Sequence, residues 1–240
     1  MAKGKKSKQA KGPSISLKAA QDCVELTLEG KRRLDLSYKQ LSTVPRSLQK
    51  LGEMDQLDLS RNLITKLPIF IDVFISIRVL DLHSNYLEEV PVTIGRLQNL
   101  LVLNLCNNRL TSVPSELGLL GKLTTLLLGM NQLEALPASI GALKELRHIG
   151  LSDNRFTRVP RCLSRLDRLQ KVNLDRNPVL REETPGPQAL LVSERLYLVQ
   201  ENLLCEDCLL RCQTEREKVE EVLDRKETPS DGSTGPPDSA

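Results

Sequence analysis

The sequence predicts an α/β solenoid, a single row of short stacked coils, on three observations. Asn62, Asn85, Asn108, Asn131, Asn154 and Asn177 recur every 23 residues. Pro45, Pro68, Pro91, Pro114, Pro137 and Pro160 keep the same interval, with no insertion in either series. The apolar inventory is 47 Leu against three Phe, three Tyr and no Trp in 240 residues, so any core is built of leucine. Two registered series with one period mark a repeat architecture. A coil that exposes an apolar face alone is stable only when stacked on its neighbours.

The elements follow in order. Residues 1–18 form a basic disordered tail: six lysines, from Lys3 to Lys18, precede the first acid, Asp22, and residues 1 to about 13 offer nothing to bury. Residues 19–33 hold an N-terminal cap strand, since Cys23 to Leu28 alternates like an edge strand with Glu25, Thr27 and Glu29 facing water. Residues 34–180 are seven repeats, read from units such as LDLSRNLITKLP (57–68), LDLHSNYLEEVP and LNLCNNRLTSVP. In each, an LxL pair such as Leu57 and Leu59 points inward from a short strand, and the strands stack into one parallel sheet. The strand then turns, and a buried amide from the Asn column satisfies backbone groups in the turns. After the Pro, a second ladder lines the returning convex segment, with Leu48, Ile71, Ile94, Leu117, Ile140 and Leu163 followed by Leu51, Phe74, Leu97, Leu120, Leu143 and Leu166. Gly95, Gly118 and Gly141 mark a tight return path. The end units are irregular: Lys39 stands where the first Asn belongs, and the last unit loses its LP step. Residues 181–225 read as a helical C-terminal cap, its leucines sealing the last repeat, and residues 226–240 as a disordered tail.

These units resemble the leucine-rich repeat pattern LxxLxLxxNxL, in the 23-residue LPxxI form seen in intracellular members of that family. The resemblance implies a horseshoe with a parallel concave sheet and short convex segments. The segments MAKGKK, GKRRLDLS and LYLVQENLLCEDCLLRCQ are further similar to a germ-cell member of the family. That likeness implies a cytoplasmic protein, a link to spermatogenesis and no catalytic role. Nuclear entry through the basic N-terminus is the alternative location.

Composition narrows the function classes. The net charge of +3 fits neither a polybasic nucleic-acid binder nor an acidic disordered chain. So few aromatics exclude stacking platforms for single strands. No uncharged apolar run reaches about 18 residues, so membrane insertion is not expected. Six cysteines, unevenly spread, suit free thiols in a reducing compartment better than a disulfide scaffold. Cys205, Cys208 and Cys212 form a CxxCxxxC array, but a structural zinc wants four ligands. On one helix face these thiols read as packing. Cys106 is expected to point outward from its strand, with no base beside it in the local sequence. His83 and His148 fall about three strands apart, roughly 14 Å at 4.8 Å per step, too far for one metal or one catalytic pair. The chain lacks a phosphate loop, a GxSxG elbow and HExxH. No enzyme, metal or cofactor is called for.

The outward positions of the strands carry the remaining information. Between the inward leucines stand Asp35, Asp58, Asp81, Asn104, Leu127, Gly150 and Asn173. The preceding column reads Arg33, Gln56, Val79, Val102, Thr125, His148 and Lys171. The column before the Asn ladder reads Tyr38, Arg61, Ser84, Asn107, Met130, Asp153 and Arg176. The face is therefore acidic in the first units, apolar at Val79, Val102, Leu127 and Met130, and mixed at the far end. Outward apolar residues on a sheet point to contact. On the convex side Ile69, Phe70, Val73 and Ile75 form either a second contact surface or an irregular packed turn. The function read here is a non-catalytic scaffold, monomeric on its own, that binds another protein on the concave face. The expected contacts are Val79, Asp81, His83, Val102, Asn104, Thr125, Leu127, Met130, His148, Asp153 and Arg176. A small-molecule substrate is not expected. The alternatives are a regulatory subunit in a phosphatase or small-GTPase pathway, and a thiol-dependent enzyme using the C-terminal cysteines.

Overall fold

The computed structural model describes residues 15–179. The tail as far as residue 14, the cap over 181–225 with Cys205, Cys208 and Cys212, and the tail over 226–240 lie outside them.

A short helix α1 (Leu17–Gln21) opens the described chain. The Ser16 hydroxyl caps it by accepting the Ala19 N–H at 3.2 Å. Leu17 and Lys18, assigned above to the tail, thus belong to an ordered turn whose Ala20 is fully buried. Eight strands follow in sequential order in one sheet: β1 (Val24–Leu26), β2 (Arg32–Asp35), β3 (Gln56–Asp58), β4 (Val79–Asp81), β5 (Val102–Asn104), β6 (Thr125–Leu127), β7 (His148–Gly150) and β8 (Lys171–Asn173). From β2 onward every pair is parallel and keeps the 23-residue register, Leu34 beside Leu57, Leu80, Leu103, Leu126, Ile149 and Val172 in turn. Only β1 runs antiparallel, against β2.

The edge strand departs from its expected alternation. Leu26 and Leu28 are exposed, whereas Thr27 is half-buried and Val24 and Cys23 pack on the core. The reason is the hairpin. Thr27 N–H donates to Lys31 O at 2.9 Å and Gly30, at φ +71°, closes the turn onto Thr27 O at 2.8 Å. Positive φ suits glycine there. Val24 and α1 already cover the end of the core, and the two leucines run past it.

Each strand turns into a return segment of 3-10 helix: Arg46–Leu51, Ile69–Val73, Val92–Arg96, Ser115–Leu119, Ala138–Ala142 and Arg161–Arg165. The column prolines precede them in extended conformation. Each of these segments is only five or six residues long, little more than one tight turn, and 3-10 geometry is used in such short pieces. Both ladder series are buried, from Leu48 and Leu51 to Leu163 and Leu166. With the strand leucines they form one continuous core, in which Phe74 and Phe156 are the largest fully buried side chains. Of the apolar run on this side, Ile69, Val73 and Ile75 are exposed while Phe70 leans on the core. The run is a surface with one anchor.

The glycine column shows how closely these segments approach. A Cβ on Gly118 would lie 2.3 Å from Ser139 O, and one on Gly95 2.6 Å from Glu116 O. On Gly141 the nearest atoms are Arg165 Cδ and Cys162 O at 3.1 Å. Gly118→Ala is expected to cost about 1–3 kcal/mol by forcing two backbones apart. Gly141→Ala should cost less, because Arg165 is flexible. Denaturant midpoints of the two variants test this order, and equal midpoints would contradict it.

Candidate partner-binding face

The Asn column is built into the turns by four hydrogen bonds per residue. Asn108 is typical: Oδ1 accepts the Leu87 N–H at 3.0 Å, and Nδ2 donates to Leu82 O, Leu105 O and Cys106 O at 3.0, 3.1 and 3.2 Å. Asn62, Asn85, Asn131, Asn154 and Asn177 repeat the set in register.

The residue before each Asn is left-handed. Tyr38, Arg61, Ser84, Asn107, Met130, Asp153 and Arg176 have φ between 52° and 56°. This conformation is costly for most L-residues, and here the turn imposes it: from Tyr38 to Asp153 each N–H is held by the carbonyl of the next coil, as in Met130 N–H to Ser152 O at 2.8 Å. Sequence reading treated this column only as contact positions. Its signal was the presence of Asn107 and Asp153, types that tolerate that region.

The middle column also has a structural duty that the sequence did not disclose. Asp35, Asp58, Asp81, Asn104 and Asn173 each accept the backbone N–H two residues on, at 2.8 to 3.1 Å. These are Asx turns that steer the chain off the strand. The expected acidic stripe is moreover internally compensated. Arg33 Nη2 reaches Asp35 at 3.1 Å and Asp58 at 2.9 Å, and Asp81 is engaged by His83 Nδ1 at 2.7 Å. Burial pushes the Asp35 carboxyl up, but the Ser37 N–H and hydroxyl and the charges of Arg33 and Lys39 outweigh it, holding it below its ordinary value.

Three residues expected to meet a partner are sealed. Leu127 is 3% exposed, Asn104 5% and His83 9%. Leu127 does point away from the leucine core, but its Cδ2 leans over Gly150 and fills the space that glycine leaves. Asn104 is tied down by the Cys106 N–H and by Asp81. Cys106, expected outward, is likewise buried. These side chains form a floor. Above it stand the partly exposed Val79, Asp81, Val102, Thr125, Met130, His148 and Asp153 and the exposed Arg176. Arg176 and Asp153 close the far end as a pair, Nη2 to Oδ2 at 2.6 Å. Partial burial, then Lys171 and Arg147, hold the His148 imidazole below its ordinary value, so it stands neutral at pH 7 between cations. Among the described residues no cluster of three or more His, Cys, Asp or Glu is arranged to hold a metal, and no helix is long and apolar enough to cross a membrane.

The family described as "Leucine-rich repeat region" matches residues 71–184, where strand, amide turn and 3-10 return recur at the 23-residue period. Residues 71–184 are a leucine-rich repeat region, and the fold is a leucine-rich repeat solenoid. A leucine-rich repeat protein of Leptospira interrogans is similar to it at 34% identity over 60% of this chain and 43% of the other, with a TM-score of 0.57. An internalin of Listeria monocytogenes, at 21% identity over 57% of this chain and 39% of the other (TM-score 0.52), shares the fold alone. The chain therefore spans less than half the length of either.

Proposed function

We propose that the protein is a non-catalytic interaction scaffold that docks another protein on the sheet face of its repeats. The observation that carries this reading is the pairing of Val79 with Val102 and of Val102 with Thr125 in strand register, partly exposed above a tightly packed floor. A sheet face with an apolar centre and charged ends, Arg33 on one side and Asp153 with Arg176 on the other, suits a protein surface. Interface cores are apolar and their rims polar. The likeness of the end segments to a germ-cell member of the family supports a setting in spermatogenesis and in the cytoplasm.

The test uses the full chain as bait in a germ-cell lysate. Val102→Arg should leave the melting temperature within a few degrees of the wild type, because Val102 lies outside the leucine core, and should lose the captured partner, because an interface core tolerates an unpaired charge poorly. Ile69→Arg, on the 3-10 side, should keep it. A partner retained by Val102→Arg and lost by Ile69→Arg would move the binding site to the opposite face.

A further inference from the structure

The two ends of the sheet face treat their cations differently. Near the first end, carboxylates of the chain itself answer them: Arg33 Nη2 lies 3.1 Å from Asp35 and 2.9 Å from Asp58, and Arg78 Nε lies 3.7 Å from Asp55. These acids occupy fixed positions of the repeat. Asp35 and Asp58 pair in register at the middle strand position. Asp55 stands one coil before Arg78 in a column that runs Asp55, Arg78, Leu101, Thr124, Arg147 and Gln170, linked N–H to O from coil to coil. Around β7 and β8 the same positions hold Gly150, Asn173 and Thr124. There Arg147 precedes His148 and Lys171 pairs with it in register, and both cations are exposed. Three acids of these coils are engaged elsewhere, Glu145 by Arg168, Asp167 by Lys144 and Asp153 by Arg176. Among the described residues no carboxylate comes within ion-pair distance of Arg147 or Lys171.

Given the sheet-face scaffold reading, on which this rests, we propose that Arg147, His148 and Lys171 form a docking corner for an acidic segment of the partner protein. Its carboxylates take the places that Asp35, Asp55 and Asp58 fill at the other end. Neighbouring strands lie about 4.8 Å apart, so the two cations and the imidazole reach one short stretch of acidic chain. Arg147 can hold a carboxylate through two parallel N–H bonds, and Lys171 acts as a point charge. His148 makes the corner sensitive to pH. Thr125 on β6 faces it uncharged, while partial burial, then Lys171 and Arg147, disfavour its protonated form. A carboxylate brought against those cations reverses the balance and favours the imidazolium. Docking therefore tightens as the pH falls through the His148 midpoint.

The test follows the ring protons of the two histidines in the full-length protein by NMR across pH, with and without a hexa-aspartate peptide, His148→Gln assigning the pair. The peptide should raise the His148 midpoint by about half a pH unit or more, equivalent to at least about threefold tighter binding by the protonated form. Salt at about 0.5 M should remove the rise. Arg147→Gln combined with Lys171→Gln should raise the midpoint without peptide, since the cations no longer hold it down, and should abolish the further rise with it. Arg161→Gln combined with Arg165→Gln, exposed on the 3-10 side, should keep that rise. Every substituted cation is exposed, so the fold is not at stake. No rise in the wild type, an equal rise in the Arg147 and Lys171 variant, or a rise caused by a six-nucleotide thymidine oligomer but not by the peptide overturns the proposal. In the lysate capture, a partner lost by Val102→Arg yet kept by the Arg147 and Lys171 variant overturns it too, while leaving the scaffold reading intact.

Discussion

Replacing Leu126 by Ala is expected to lower the unfolding free energy by about 2–5 kcal/mol, a range set by lost transfer energy plus the cavity left behind. Leu126 is fully buried in the middle of the stack, between Leu103 and Ile149 in strand register. Coils on both sides are fixed by their own hydrogen bonds, so the site cannot collapse readily and the cost should fall high in that range. Chemical denaturation of the variant measures it, and a loss under about 1 kcal/mol would contradict a rigid, close-packed row.

Asn108→Ala should be comparably severe, at about 3 kcal/mol. One unpaired buried group costs about 1–3 kcal/mol, and this amide serves the Leu87 N–H together with three carbonyls. Asn108→Asp is the informative companion. It keeps an acceptor for Leu87 but presents no donor to the carbonyls, so it should be no less costly than the alanine. A stable Asn108→Asp variant would mean that the three donated bonds contribute little.

How far the sequence foretold this molecule depends on whether a feature repeats. The strands, the Asn and Pro columns and both leucine ladders were legible because each recurs at one period, and periodicity reports which side a residue faces. It does not report exposure. Leu127 was correctly placed on the outer side of its strand and still proved buried, because Gly150, 23 residues later, leaves a hollow that its side chain fills. Such a hollow becomes visible only when each column is read across coils for size, large beside absent. The same habit would have shown His83 and Cys106, 23 residues apart, at one position on adjoining coils. The return segments were foreseen in position but without a helix type, because five residues carry too little pattern. The alternation of residues 23–28 misled for a different reason: a two-sided pattern specifies a buried face only where a core lies beneath it, and the core ends before Leu26.

The amide bonds have a direction, and it gives the stack a growing end. Asn62 donates to Leu36 O and accepts from Leu41 N–H, both on the coil before its own, and Asn177 does the same for Leu151 and Phe156. Every Asn completes its predecessor. The first coil follows no amide-bearing turn, so Lys39 in the amide position deprives no earlier turn of an amide, and a strand and a short helix shield the apolar surface at that boundary. The opposite boundary is chemically different, because among the described residues the coil of β8 supplies an amide and no later Asn donates to it. A further 23-residue unit bearing its own asparagine would extend the row from that side without altering any coil already present. Lengthening it from the other side would first require Lys39 to become the asparagine that the period omits.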